Sequence, residues 1–190
     1  MRKTKTFLWL ILIFLLISLS FLFDNFAFLI FEKIKSNPMD LIMNFFSNAV
    51  VIVLFLTIAS IFSYKKTHHL IVLWTSILIT SVIVFFMKLI VARARPDDLQ
   101  KFLFGLPDYS FPSMHTALMF SAVFILWKNF SKEKWFFISY ALLVGISRIY
   151  LKMHYFSDVV SGMFIGFFIG YFVYSIEKKY HFFDKFIRRF

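Results

Sequence analysis

SRIYLKMHYFSD, residues 147–158, places two cations, a histidine and a carboxylate within an otherwise apolar part of the chain. Charged groups beside long apolar runs are expensive in a membrane and usually serve a function. His154 and Asp158 are four residues apart, so a helix here would put both on one face, where the carboxylate can hold one imidazole nitrogen. The segment therefore predicts a functional His–Asp pair at a membrane surface.

The composition of the whole chain indicates a membrane protein. Of its 190 residues 61% are hydrophobic and the mean hydropathy is +0.80, whereas soluble domains are roughly half apolar. The absence of cysteine excludes disulfides, thiolate metal sites and a cysteine nucleophile. The net charge of +11 comes from basic residues at the ends of apolar runs, which favours the positive-inside rule over nucleic-acid binding. No obligatory protein partner is evident.

Apolar runs predict an all-α fold: one membrane domain, residues 1–190, with six transmembrane helices. The predicted spans are 7–23, 39–63, 70–90, 113–128, 135–153 and 157–176. The first run lacks a small-x-small cleavage site and is predicted to be retained. Asp24 to Lys35 is too polar to span and predicts a short interfacial helix. Only 13 residues separate Lys134 from Arg148, so the fifth helix is expected to continue past that arginine.

Charge asymmetry predicts the orientation of these spans. Six spans put both termini on one side, and thirteen of the 21 cations but three of the ten acids lie in the ends and loops of that side. The termini are therefore expected in the cytoplasm of a multi-pass plasma (inner) membrane protein. The polar segment 88–111 and the segment 147–158 then meet on the periplasmic or exterior face.

A glycine repeat predicts how the last helix packs. Gly162, Gly166 and Gly170 recur every four residues, and the same step back from Gly162 reaches Asp158. Small residues at this spacing let membrane helices approach closely. We expect the glycines to serve packing and thereby to fix the helix that carries Asp158.

Three polar clusters together predict a phosphate site. Lys88 and Arg95 are seven residues apart, and Arg148 adds a third cation. Three cations can neutralise a dianion, and guanidinium groups can grip it bidentately. Ser113 and the backbone amides at the start of the fourth helix, that of Met114 among them, add donors at the positive end of a helix dipole.

Two histidines allow the chemistry to be divided. One can attack phosphorus as a neutral imidazole, while the other protonates the leaving oxygen. An aspartate suits the nucleophile because it fixes the tautomer and stabilises the developing charge. This assigns His154 as nucleophile and His115 as general acid. No cofactor or metal is expected, because a metal would need clustered carboxylates or further histidines.

The motifs resemble those of the type 2 phosphatidic acid phosphatase family. Lys-x6-Arg-Pro stands at 88–96, Pro-Ser-x-His at 112–115 and Ser-Arg-x5-His-x3-Asp at 147–158. Met114 departs from the glycine usual in the second motif. The resemblance implies a metal-independent phosphatase with a phosphohistidine on His154, which Asp158 orients. It also implies His115 as the acid and a set of phosphate ligands: Lys88, Arg95, Ser113, Arg148.

Several alternatives stay open at the level of the sequence. The resemblance allows undecaprenyl diphosphate, phosphatidylglycerol phosphate, phosphatidic acid or the phosphates of lipid A as substrate. Two alternatives to hydrolysis are transfer of the phosphoryl group to an acceptor other than water and non-catalytic binding or transport of lipid phosphates. Arg93 and Lys101 either bind a second phosphate or offset the acids at 97, 98 and 108. Lys152 matches no motif position and is read as reaching towards headgroups.

Overall fold

A computed structural model describes residues 2–62, 67–96, 102–103, 106–130 and 132–181, and these are almost entirely helical. The α-helices among them are α1 (Arg2–Ser20), α2 (Asp24–Lys33), α3 (Asn37–Ser47), α4 (Ala49–Phe62), α5 (Thr67–Val91), α6 (Met114–Asn129), α7 (Lys134–Tyr150) and α8 (Phe156–Tyr180). Besides a 3-10 turn at Phe21–Phe23, the extended elements are β1 (Phe102–Leu103) and β2 (Leu106–Pro107). They pair antiparallel, with Phe102 opposite Pro107 and Leu103 opposite Leu106. The predicted helical class is confirmed.

Three described helical stretches are long and apolar enough to cross a membrane: Ile11–Lys33, Leu70–Val91 and Phe156–Tyr180. The bent pair α3–α4 passes the same test when its two helices are taken together, and is either a broken fourth span or a re-entrant loop. The helices α6 and α7 have 16 and 17 residues, and are shorter than the roughly 20 residues that cross the hydrocarbon unaided. The count of six spans therefore stays a prediction.

The first span does not end where the sequence analysis placed it. The 3-10 turn Phe21–Phe23 joins α1 directly to α2, and Ile11–Lys33 qualifies as one candidate span. The separate interfacial helix predicted for Asp24 to Lys35 thus stays a prediction. Asp24 itself is buried at the start of α2.

The second predicted span, 39–63, corresponds to two helices, α3 and α4. It bends by 55° between α3 and α4, at Asn48, whose backbone is extended. The Asn48 side chain accepts a hydrogen bond from the amide of Val50 at 2.8 Å, so it caps α4 and stabilises the break. The bend places Ser47, the last residue of α3, beside α7.

The fifth helix passes Arg148 as expected but ends at Tyr150, before the predicted boundary at 153. Lys152 then adopts a left-handed backbone (φ 52°), which turns the chain away from the helix axis. His154 follows in the connection, and α8 begins at Phe156. His154 and Asp158 therefore do not share a helix face, contrary to the prediction.

The glycine face of α8 packs directly on α6, and this prediction is confirmed. A Cβ atom added at Gly166 would lie 2.0 Å from the carbonyl oxygen of Ala117, and one at Gly162 would lie 2.7 Å from that of Ser113. The helix α6 is the centre of the bundle, with most of its residues buried. Backbone contact between α6 and α8 fixes the starts of these two helices relative to one another.

Candidate active site

Asp158 has two structural tasks at the start of α8. Its Oδ2 accepts a hydrogen bond from the amide of Tyr155 at 2.9 Å, which completes a capping box. The same oxygen accepts the hydroxyl of Ser110 and lies 3.5 Å from Nδ1 of His154. The side chain is fully buried. The cap thus holds the carboxylate in front of the imidazole.

His154 is held by the end of α7. Its amide donates to the carbonyl of Arg148 at 3.2 Å, and its side chain is 1% exposed. Among the described residues Nδ1 has no hydrogen-bond partner, so the 3.5 Å approach to Asp158 is a close contact that stops short of a hydrogen bond. Burial first, and then the positive charge of Arg148, hold the pKa of His154 well below 6.5. The imidazole is therefore neutral at pH 7.

Lys88 and Arg95 both bind the carboxylate of Asp108. Lys88 Nζ lies 2.9 Å from Oδ1, and Arg95 Nη2 lies 2.6 Å from Oδ2. Arg95 also donates to two backbone carbonyls, those of Asp108 at 2.9 Å and Met153 at 2.7 Å. Burial alone would raise the pKa of Asp108, but Lys88 and then Arg95 bring it below 3.8. In this structure the two motif cations share one ionised carboxylate.

Arg148 reaches across to the bend between α3 and α4. Its Nη1 donates to the carbonyl of Ser47 at 3.2 Å and to the Ser47 hydroxyl. Its buried Nε has no partner in the part of the chain that the structure describes. An unpartnered buried donor on a cation is costly unless an anion completes it. Ser47 was not singled out in the sequence, because the bend that brings it here carries no proline or glycine.

The start of α6 brings the second motif to the same place. The amide of Ser113 donates to the carbonyl of Asp158 at 3.1 Å, and its buried hydroxyl lies 3.0 Å from that of Thr116. Met114 and His115 are partly exposed. His115 lies within electrostatic range of Arg148 and His154. The predicted site residues of all three motifs therefore form one cluster.

Arg93 and Asp24 join the cluster, although the sequence analysis left Arg93 between two alternatives and gave Asp24 no role in the site. Arg93 Nη1 lies 2.7 Å from Oδ1 of Asp158, and its Nη2 lies 2.7 Å from Oδ2 of Asp24. Asp24 also accepts the amide and the hydroxyl of Ser157, at 2.8 and 2.9 Å. Of the two alternatives for Arg93, the structure therefore agrees with charge pairing to acids. The paired acids are Asp24 and Asp158, whereas those at 97, 98 and 108 were expected. Lys101, with the acids at 97 and 98, lies outside the described residues.

The chain's family follows from comparison with known proteins. A sequence model of the PAP2 superfamily matches residues 68–182. The chain belongs to the PAP2 superfamily. The predicted resemblance is thereby confirmed, and the apolar spans together with the PAP2 relatives identify an integral membrane protein. The PAP2 match contains every predicted site residue, whereas Asp24 and Ser47 lie before it.

Two curated proteins share parts of the sequence. The bacitracin transport permease protein BcrC of Bacillus licheniformis is 38% identical over 80 residues, 42% of this chain and 39% of the relative. The lipid A 1-phosphatase of Rhizobium etli is 30% identical over 104 residues, 50% of this chain and 44% of the relative. The chain thus covers less than half the length of each of these relatives.

Two solved structures have a similar fold. LpxE of Aquifex aeolicus superposes with a TM-score of 0.67 at 26% identity, covering 80% of this chain and 94% of that chain. The PAP2-type phosphatidylglycerolphosphate phosphatase of Bacillus subtilis also gives a TM-score of 0.67, at 23% identity, covering 93% of this chain and 96% of that one. At this identity the second likeness establishes the fold alone.

Within the described residues, no group of three His, Asp or Glu side chains is arranged to hold a metal ion. The carboxylates near the site are engaged by cations instead: Asp108 by Lys88 and Arg95, and Asp24 and Asp158 by Arg93. The charge of the site is supplied by side-chain cations, which suits a bound anion.

Proposed function

We propose that this protein is a metal-independent lipid phosphate or diphosphate phosphatase that works through a phosphohistidine on His154. The observation that carries the proposal is the buried, neutral imidazole 3.5 Å from Asp158 and close to three cations. A neutral imidazole beside a carboxylate is a competent nucleophile, and nearby cations stabilise the charge of a phosphoryl group in transfer. PAP2 membership and the lipid A 1-phosphatase relative support the same reaction class.

The first step transfers the phosphoryl group to the enzyme. Nδ1 of His154 faces Asp158, which leaves Nε2 to attack phosphorus. The N–P bond forms while the P–O bond to the lipid breaks, and the departing oxygen takes a proton from His115, which the negative charge of the bound phosphate keeps protonated. Asp158 stabilises the positive charge that develops on the imidazole.

The second step releases phosphate. His115, now without its proton, takes one from a water molecule, and the water oxygen attacks phosphorus. The N–P bond breaks, and neutral His154 is restored. Arg148 acts in both steps, because its unpartnered Nε gives a donor for a phosphoryl oxygen. The amides of Met114 and its neighbours at the start of α6, together with Ser113, complete the cradle.

Phosphate has to displace Asp108 from Lys88 and Arg95. The carboxylate occupies both cations in this structure, one oxygen on each, as two oxygens of a phosphate would. Asp108 lies on the connection between β2 and α6, and its side chain is 23% exposed. It can therefore swing outward without unpacking a helix when phosphate binds. When it returns between turnovers, it again pairs with the two cations.

The site is proposed to open at the outer surface of the plasma (inner) membrane, with both termini of the six-span domain in the cytoplasm. The charge asymmetry of the loops supports this orientation. The substrates we propose are the membrane amphiphiles that the family resemblance allows: undecaprenyl diphosphate, phosphatidylglycerol phosphate, phosphatidic acid and lipid A phosphates.

The proposal is tested by phosphate release from this lipid panel, using the full chain purified in detergent, with and without EDTA. Wild type is expected to keep its activity in EDTA, and His154→Ala to lose it by about a thousandfold or more. His181→Asn, at the far end of α8, is the matched control. Rapid quenching of wild type with a labelled lipid phosphate should trap an alkali-stable, acid-labile phosphoryl group that His154→Ala lacks.

Two results would redirect the proposal. Activity that EDTA abolishes and a divalent ion restores would refute the metal-free mechanism. Activity retained in His154→Ala would refute the phosphohistidine.

Two alternatives are separated by other readouts. If the phosphohistidine passes to an acceptor other than water, labelled phosphate appears in a new lipid and not in solution. A non-catalytic binder or transporter, which the permease relative favours, would bind lipid phosphate equally well with and without His154 and release no phosphate.

A further inference from the structure

Arg93 sits at the meeting point of two buried carboxylates. One Nη1 hydrogen bond, 2.7 Å long, reaches Oδ1 of Asp158, and one from Nη2, also 2.7 Å, reaches Oδ2 of Asp24. The guanidinium lies over the ring of Tyr155, 3.8 Å from its centroid. A cation held between an aromatic face and two carboxylates has a fixed position and a fixed direction.

The contact decides how Asp158 is presented to His154. The Oδ2 atom of Asp158 accepts hydrogen bonds from Tyr155 and Ser110 and faces the imidazole. The other carboxylate oxygen, Oδ1, is left for a further partner. Arg93 occupies that end. Rotation of the carboxylate is therefore blocked at both oxygens, and its ionised form is stabilised by a guanidinium at 2.7 Å.

Asp24 extends this support to the first helices of the chain. It binds Arg93 and also accepts both the amide and the hydroxyl of Ser157, the residue before Asp158. The backbone amides in the first turn of a helix have no partner within the helix, and a carboxylate beside them accepts their hydrogen bonds. Asp24 lies before the part of the chain that matches the PAP2 superfamily.

We infer that Arg93, anchored by Asp24, is a positioning residue that holds Asp158 ionised and aimed at His154. The inference rests on the proposed function, because it assigns Arg93 a role in the reactivity of the proposed nucleophile. The contacts favour this role over that of a phosphate ligand, because both terminal nitrogens already donate to Asp158, Asp24 and the Ser157 hydroxyl. The first helices thereby contribute a residue to the reaction.

The test compares kcat and KM on a lipid monophosphate and a lipid diphosphate for wild type, Arg93→Gln and Arg93→Lys. Arg93→Gln is expected to lower kcat about 10- to 100-fold on both substrates, the usual effect of losing a hydrogen bond to a charged group. KM should stay within about twofold, because Lys88, Arg95 and Arg148 are untouched. Arg93→Lys keeps the positive charge but loses the planar guanidinium that donates to both carboxylates at once, and it should therefore recover part of the wild-type kcat.

A double variant separates positioning from charge balance. Asp24→Asn combined with Arg93→Gln removes one charge of each sign from the buried network. If Arg93 served only to neutralise Asp24, this pair would restore kcat to the wild-type value and overturn the inference. We expect the double variant to stay as slow as Arg93→Gln, since Asp158 still lacks its partner. Melting temperatures in detergent identify any variant that fails to fold, in which case Arg93→Lys carries the comparison.

The remaining outcomes are equally decisive. Unchanged kcat in both Arg93 variants would overturn the inference, and so would a rise in KM confined to the diphosphate, which would make Arg93 a ligand of a second phosphate. Lys152→Gln is the matched control, because its ion pair with Glu32 is 3.6 Å long and exposed. Failure of the proposed function itself would look different, since wild type would then be no faster than His154→Ala.

Discussion

Asp108 offers the sharpest test of the phosphate cradle, because it occupies the two cations that phosphate is proposed to bind. The perturbation is Asp108→Asn, which keeps the size of the side chain and removes its charge. One oxygen remains to accept a hydrogen bond from Lys88 or Arg95, but neither cation keeps an ionised partner there. The variant should therefore be less stable without an anion and should bind phosphate more tightly.

The magnitude follows from the contacts. Two charge-assisted hydrogen bonds, of 2.9 and 2.6 Å, connect Asp108 to Lys88 and Arg95. Each is worth about 1.5–3 kcal/mol net, and the lower value is appropriate because the Asp108 side chain is partly exposed. Losing one such competitor strengthens phosphate binding by about 1.5 kcal/mol, which is roughly tenfold. Losing both raises the gain to about 3 kcal/mol, roughly 150-fold.

Two assays measure this effect. Inhibition of lipid phosphatase activity by inorganic phosphate gives its affinity under turnover, and thermal unfolding in detergent across a phosphate titration gives it at equilibrium. The melting curves should cross: Asp108→Asn melts below wild type without phosphate and gains more from added phosphate. Asp40→Asn is the matched control, because Asp40 is likewise a hydrogen-bonded carboxylate, accepting from Tyr150 at 2.6 Å, and no described hydrogen bond or ion pair joins it to Lys88 or Arg95.

A phosphate affinity that is unchanged or weaker in Asp108→Asn would refute the reasoning. Asp108 would then support the loop without competing for the cations. An inactive variant with tenfold tighter phosphate binding would still support it, because product release would have become limiting.

Three further predictions follow from the packing and the protonation of the site. Gly166→Ala would force a Cβ to 2.0 Å from the Ala117 carbonyl, so it should cost about 1–3 kcal/mol of stability and lower kcat. The control Gly145→Ala, whose added Cβ meets only side chains, should be less destabilising. Equal melting temperatures for the two variants would contradict the close packing of α8 on α6. Lys152 has a left-handed backbone, which costs a non-glycine residue about 1 kcal/mol. Lys152→Gly should remove this strain and raise Tm by about 2–4 °C without changing kcat. A lower Tm would argue against strain at this position. Burial and Arg148 lower the pKa of His154, so unfolding below pH 6.5 takes up a proton. As the pH falls below 6.5, the free energy of unfolding should therefore decrease by about 1.4 kcal/mol per pH unit relative to His154→Asn. Parallel pH profiles of the two proteins would exclude a neutral buried imidazole.

Much of the fold was accessible from the sequence because its signals are local. Apolar runs give the helices, and the four-residue glycine spacing gives the face on which α8 meets α6. The motif residues carry their own spacing, so the sequence alone predicts Lys88, Arg95 and Arg148 near His154. Their proposed roles remain predictions that the experiments above test.

The missed features depend on contacts between distant segments. Asp24 reaches Ser157 across 133 positions of the sequence, and no local pattern separates it from an ordinary interfacial acid. Asp108 pairs with Lys88 because of the path of the loop before α6, which composition does not determine. The early end of α7 was hidden because a lysine, not a glycine, takes the left-handed position at 152.

The contact between α6 and α8 also limits how a lipid can reach the site. At Gly166 the two backbones leave no room for a methyl group, so an acyl or prenyl chain has no passage between these helices. The hydrocarbon of any substrate has to remain on the sides bounded by the other helices while its headgroup enters. Differences in chain length or branching would instead be read in grooves on the other faces of α8, such as the apolar groove that it forms with α1, α2 and α7.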